Sequence, residues 1–130
     1  MLGLFEKKHR LFVYGTLKRG HGLNGALGNS EFIKDGWLQG FKMYGSGVPV
    51  VIKTNNPEDK VYGEIFLVNS QVLGDVDVVE GHPYGYTRTW IEQLGGVWIY
   101  LGRECSVSLN NYYQPIENGI WEKVKYLTLD

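Results

Sequence analysis

Cysteine is nearly missing. Cys105 is the only one among 130 residues, so neither an internal disulfide nor a cysteine-rich metal cluster can form, a usage that suits a reducing compartment such as the cytosol. Histidine is sparse as well. His9, His21 and His82 have no i, i+3 or i, i+4 spacing to one another and form no H-E-x-x-H, so no metal site is expected. No apolar run approaches the roughly 18 residues of a membrane helix, and the opening MLGLFEKKHR lacks the apolar core of a secretory signal. No membrane partner is expected, and the cytoplasm is the default location. Cations do not cluster beyond Lys7-Lys8 with Arg10, the formal net charge is −1 and the pI is near 6.3. That balance gives a nucleic-acid partner little electrostatic support. G-x-S-x-G is absent, and Gly45-Ser46-Gly47 lacks the strand-to-helix setting that would make Ser46 a nucleophile. Cys105 has no activating neighbour in sequence and reads as a passive thiol.

What is abundant is glycine, at 18 residues, with four Trp, nine Tyr and five Phe. Many short aromatic and β-branched runs between glycines favour tightly turned strands, and a small barrel, over a helix bundle. The length fits one domain, residues 1–130. Leu11 to Tyr14 reads as a buried strand ended by Gly15, and Leu23 to Leu27 as a short, weak helix. Glu31 to Tyr44 reads as a long strand bent at Gly36 and Gly40. Val48 to Ile52 can be a strand only near an edge or at its first residues because of Pro49. Asn55 to Asp59 is a turn, and Lys60 to Val68 a strand broken by Gly63. Ser70 is placed to cap a helix with Val72, Leu73, Val76, Val79 and Glu80 at helical spacing and Gly81 as terminator. Tyr86 to Gln93 alternates as a strand, with Val97 to Leu101 as its hairpin partner across Gly95-Gly96. Residues 103–130 show no clean period and are expected to be loop plus a short strand or helical turn.

The stretch FVYGTLKRGHGLNG, residues 12–25, runs from strand into glycine-rich loop, the pattern of a phosphate cradle. Its details do not fit one. Gly15-Thr16-Leu17-Lys18-Arg19-Gly20 is followed by His21, not by Lys and a hydroxyl residue, and Gly20-His21-Gly22-Leu23-Asn24-Gly25 has no strand immediately before it. A plain tight turn is the competing explanation. Asp75, Asp77 and Glu80 lie toward the end of the expected helix, where the dipole opposes negative charge. Glu80, beside the apolar stripe, is either a surface carboxylate or one whose burial pushes its pKa from about 4.3 toward neutrality, fit to move protons at pH 7.

In order, Phe12-Val13-Tyr14-Gly15-Thr16-Leu17-Lys18-Arg19-Gly20, then Val61-Tyr62-Gly63-Glu64-Ile65-Phe66, then Val76-Asp77-x-x-Glu80-Gly81-x-Pro83-x-x-Tyr86-x-Arg88 resemble the gamma-glutamylcyclotransferase-like family, most of all its gamma-glutamylamine cyclotransferase branch. The resemblance spans residues 11 to about 101. It implies an α+β, mostly β fold, a small mixed β-barrel with a few short helices. It also implies an enzyme that releases 5-oxoproline from a small γ-glutamyl substrate without metal or cofactor. By position, Tyr14, Gly15, Thr16 and Leu17 match the substrate-binding loop and Glu80 the catalytic acid/base. Cyclisation uses the substrate's own α-amine as nucleophile, which accords with the missing Ser, Cys and metal motifs.

The supporting residues carry alternatives. Tyr14 either hydrogen-bonds substrate or Glu80, or is a core aromatic. Asp77, Tyr86 and Arg88 are possible supporting residues, with Arg88 able to brace Asp77 rather than touch substrate. Lys18 and Arg19 are expected to be solvated loop charges, with steering of an anionic γ-glutamyl substrate as the alternative. Two rival functions remain at this stage: a γ-glutamyl-cleaving hydrolase on the same scaffold, and a non-catalytic barrel using Trp37, Trp90 and Trp98 as a ligand platform. The oligomeric state and the leaving group are not written in the sequence.

Overall fold

The structure is a computed structural model, described here over residues 6–104 and 112–122. Among the described residues, the strands β1 (Lys8–Val13), β2 (Glu31–Gln39), β3 (Phe41–Gly45), β4 (Pro49–Lys53), β5 (Lys60–Asn69), β6 (Thr87–Ile91), β7 (Val97–Leu101) and β8 (Gln114–Pro115) accompany the α-helix α1 (Ser70–Glu80). Single 3-10 turns lie at Asn24–Leu27 and Gln93–Gly95. The fold is therefore α+β and mostly strand, as expected.

The strands form two sheets. One has the order β2-β5-β1-β7-β6, antiparallel throughout except where β1 runs parallel to β7, and the other has the order β4-β3-β8. Neither sheet closes on itself, so barrel describes the enclosure of the core loosely. The corner between the sheets is Gly40, whose φ of 86° lets one long ribbon leave the first sheet as β2 and enter the second as β3. Pro49, which has no N–H to give a ladder, stands first in β4, an edge strand.

Alternation along β1 sends its residues to two cores. Phe12 and Tyr14 join Leu38, Met43, Val51, Ile65 and Ile99 between the sheets, while Leu11 and Val13 join Leu17, Leu27, Leu73, Val76 and Tyr100 beneath α1. The central sheet is thus buried on both faces, which is why its middle strands read as continuous apolar runs. Helix α1 is capped one residue earlier than expected: the Asn69 side chain accepts from the Val72 N–H at 2.8 Å. At its other end Gly81 takes the left-handed conformation, φ 70°.

Gly63 corrects a sequence expectation. It does not break β5, which continues through it paired to Gly36. Its missing side chain makes room instead: a Cβ there would overlap the Phe12 ring and lie 2.6 Å from the Val13 carbonyl oxygen. Because the crowding atoms include backbone of the neighbouring strand, Gly63→Ala is expected to destabilise the protein by about 1–3 kcal/mol in urea unfolding.

Candidate active site

A cavity of about 210 Å3 opens where the end of β1, the loop after it, the β3–β4 turn and the end of α1 converge. Tyr14, Gly15, Thr16, Leu17, Glu80, Tyr86 and Tyr100 all line it. The four loop residues and the glutamate singled out in the sequence are therefore brought together, although more than sixty positions separate them. Asp77 and Arg88 do not line the cavity; they stand behind it.

Glu80 is the only carboxylate among the described residues of this wall, and no hydrogen bond or ion pair to it occurs among the described residues. It is half-buried, and burial raises its carboxyl above the ordinary value of 4.5, with no charged neighbour contributing. The chain after it is tied back: the Tyr86 N–H donates to the Glu80 carbonyl at 3.0 Å, and the Gly85 N–H to the Gly81 carbonyl at 2.6 Å. That turn, which includes a cis His82–Pro83 peptide, sets Tyr86 beside Glu80.

The facing wall is backbone. In the loop, Lys18 N–H donates to the Gly15 carbonyl at 3.0 Å and Leu23 N–H to the Thr16 carbonyl at 2.9 Å, closing the turn. The N–H groups of Gly15, Thr16 and Leu17, and the Thr16 hydroxyl, have no acceptor among the described residues. Gly15 has a packing reason to be glycine, since a Cβ would overlap the Pro49 ring.

The three tyrosine hydroxyls around the cavity are committed to the protein. Tyr14 donates to the Tyr100 carbonyl at 2.6 Å, Tyr86 to the Pro49 carbonyl at 2.8 Å and Tyr100 to Asp77 Oδ1 at 2.6 Å. Burial raises all three, Tyr86 to about 12. They stay neutral at physiological pH, and Glu80 is left as the acidic group of this wall among the described residues. Tyr14 is thus both a core aromatic and a cavity wall, with its proton spent on Tyr100 and not directed at Glu80.

Behind the cavity, Arg88 grips Asp77 with Nε and Nη2 at 2.8 and 3.2 Å, stacks its guanidinium 4.4 Å from the Trp98 ring, and donates its backbone N–H to His82 Nδ1 at 3.0 Å. Burial alone would raise the Asp77 carboxyl, but the Arg88 and Tyr100 hydrogen bonds and the Arg88 charge outweigh it and hold the pKa below 3.8. The brace foreseen between Arg88 and Asp77 is present.

Lys18 differs from expectation, and Arg19 is better anchored than its sequence setting suggests. Lys18 is 5% exposed and donates from Nζ to the Trp121 carbonyl at 2.6 Å, and burial lowers its pKa. Arg19 donates its backbone N–H to Glu64 Oε1 at 2.8 Å, pairs through Nε with Oε2 at 3.3 Å, and covers the Phe32 ring at 3.6 Å. Lys18 is a buried anchor of the loop, whereas Arg19 is held by Glu64 yet keeps 52% of its side chain exposed, a solvated charge as expected. Glu64, buried on β5, is the residue that sequence reasoning passed over. Its signal was a charged residue inside an apolar strand run, Val61 to Phe66. Trp37 lies on β2 and Trp90 on β6, opposite edges of the five-stranded sheet, so the three tryptophans do not form one platform. Cys105 lies outside the described residues.

The two-sheet scaffold brings one carboxyl and a glycine-marked turn to the same cavity among the described residues. The family described as Gamma-glutamyl cyclotransferase, AIG2-like, matches residues 11–123, and the chain belongs to it. A relative in Vibrio cholerae is 29% identical over 117 residues, covering 88% of this chain and 96% of its own. The gamma-glutamylcyclotransferase family protein YtfP of Escherichia coli is 25% identical over 114 residues, 86% of this chain and 95% of its own. Among solved structures, the mouse AIG2-like protein superposes with a TM-score of 0.61 at 24% identity, over 87% of this chain and 84% of that one, a likeness of fold.

Two substitutions probe this framework. Asp77→Asn is expected to cost about 1–3 kcal/mol at neutral pH, because it leaves the Arg88 charge half-buried without its partner. A carboxyl depressed in the folded state contributes stability that is present above its unfolded pKa and lost as pH falls through the folded one. The gap to wild type should therefore close below pH about 4 in urea titrations. Glu64→Ala removes the acceptor of the Arg19 N–H, and amide hydrogen exchange at Lys18 to Gly20 is expected to accelerate at least tenfold while the β5 core stays protected.

Proposed function

We propose that the protein is a cyclotransferase that releases 5-oxoproline from a γ-glutamyl amine, with Glu80 as general acid and base and without metal or cofactor. The observation that carries this reading is the raised carboxyl of Glu80 in one cavity with the N–H groups of Gly15, Thr16 and Leu17, none of which has a hydrogen-bond partner among the described residues. Membership of the gamma-glutamyl cyclotransferase, AIG2-like family supports it independently.

The chemistry follows from these groups. The substrate's α-amine attacks its own γ-carbonyl carbon, forming the ring C–N bond, and the amine's proton passes to the Glu80 carboxylate. The carbonyl oxygen becomes an oxyanion, for which the N–H groups of Gly15, Thr16 and Leu17 are donors that need no reorganisation. The amide C–N bond then breaks, the leaving nitrogen takes the proton from Glu80, and the products are 5-oxoproline and a free amine. Glu80 returns to its starting state. Holding amine and carbonyl in contact is itself worth several kcal/mol, and the raised pKa places the proton carrier nearer to working pH than an ordinary glutamate would be. Tyr14 and Tyr86 shape the walls, and Asp77 and Arg88 hold the helix that presents Glu80.

The test is release of 5-oxoproline from γ-glutamyl-ε-lysine, a γ-glutamyl alkylamine and glutathione, repeated with Glu80→Gln. Wild type is expected to turn over at least one donor, with an acid limb in kcat/KM lying above pH 4.5 because the base must be ionised. Glu80→Gln is expected to lower kcat by about 10²–10⁴-fold. It should also raise the Tm at neutral pH: a carboxyl raised in the folded state binds more protons there than when unfolded, so wild-type stability falls as pH rises through that window. No 5-oxoproline from any donor overturns the function, and undiminished turnover by Glu80→Gln overturns the role of Glu80.

A further inference from the structure

Three large apolar side chains lie open to solvent at the rim of the Glu80 cavity. Leu23 is 44% exposed, Val48 48% and Val79 50%, and each lines the cavity. They come from three separate parts of the chain: the loop before the 3-10 turn, the β3–β4 turn and the end of α1. Single exposed apolar residues need no explanation, but three convergent on one opening form a surface that a ligand can cover. Nor are they relics of a packed core, since Leu73 and Val76 supply the buried side of α1.

The cavity is also small. At about 210 Å3 it falls below the roughly 300–1,000 Å3 that enclose drug-sized ligands, so a compact γ-glutamyl head fills it and the remainder of the substrate lies across the rim. No Lys or Arg is among the described residues lining the cavity, and no charge contributes to the shift of Glu80. A leaving group bearing a carboxylate would meet the Glu80 charge with no Lys or Arg among the described lining residues to offset it. One bearing an ammonium would lose water without gaining a partner of its own, because Glu80 is engaged by the α-amine.

We infer that the leaving group is an uncharged, aliphatic amine that rests on Leu23, Val48 and Val79, so that the protein prefers γ-glutamyl alkylamides over γ-glutamyl peptides and γ-glutamyl-ε-lysine. This rests on the cyclotransferase reading and adds the substrate class to it. Covering a methylene at such a rim is worth about a two- to fourfold gain per group. The gain appears in kcat/KM if the contact is kept in the transition state.

The experiment compares kcat/KM for γ-glutamyl ethylamide, butylamide and hexylamide with that for γ-glutamyl-ε-lysine and glutathione, by 5-oxoproline release. The expected result is a rise along the alkyl series and a tenfold or greater preference for butylamide over both charged donors. In Val48→Lys, checked for a native circular dichroism spectrum, the butylamide preference over glutathione is expected to shrink at least fivefold, because the new ammonium pairs with the peptide carboxylate. A flat alkyl series, or a preference for a charged donor that survives in Val48→Lys, overturns the rim assignment while leaving cyclotransfer intact. Release from no donor at all removes the cyclotransferase reading, and the rim assignment falls with it.

Discussion

The bond on which the rest of the site depends is the bidentate grip of Arg88 on Asp77. It fastens the last turns of α1 to β6, and the Tyr100 hydroxyl joins the same carboxylate from β7. Glu80 stands three residues after Asp77 on that helix, so fixing Asp77 fixes where Glu80 emerges. Tyr100 then passes the constraint across the sheet through its backbone, because its carbonyl accepts the Tyr14 hydroxyl one residue before the loop begins. Carboxyl and loop, which never touch, are positioned by one connected set of polar contacts. Each charge in that set is matched, as partly buried charges must be to persist.

Much of this was legible in the sequence. The strands, the helix and its Gly81 terminator, and the bend at Gly40 follow from local periodicity and glycine placement, which a single chain displays directly. The meeting of Tyr14 to Leu17 with Glu80 came from resemblance to a family rather than from spacing. Lys18 was misread, and the anchoring of Arg19 missed, because their partners are distant: Glu64 is 45 residues from Arg19, and the Trp121 carbonyl is 103 from Lys18. A backbone carbonyl leaves no trace in residue type, so a buried lysine of this kind is invisible to pattern reasoning. Gly63 was misread for the related reason that a bend and a close approach call for the same residue. Whether the sheets close is likewise a property of strand pairing between remote segments.

The proposed reaction explains why the cavity holds so little machinery. A substrate that carries its own nucleophile asks of the protein one proton carrier, a set of fixed dipoles and a shape. The tyrosines supply shape, and their hydroxyls are taken up by carbonyls and by Asp77, so no second acid competes with Glu80. The same economy leaves the rim as the part of the wall free to vary without disturbing catalysis.

The hold of Trp121 on Lys18 has a consequence for the order in which the molecule is put together. Residues 112–122 close over both sheets: β8 pairs with β3, the Tyr62 N–H donates to the Gly119 carbonyl, and Lys18 reaches Trp121. Synthesis runs from the amino end, so Tyr14 to Lys18 leave the ribosome about a hundred residues before the carbonyl that neutralises the demands of Lys18. Until that carbonyl arrives, the Lys18 ammonium lacks the partner that its burial requires. A nascent chain that stops short of Trp121 therefore carries Tyr14 to Leu17 and Glu80 without the contact that holds Lys18 beside them.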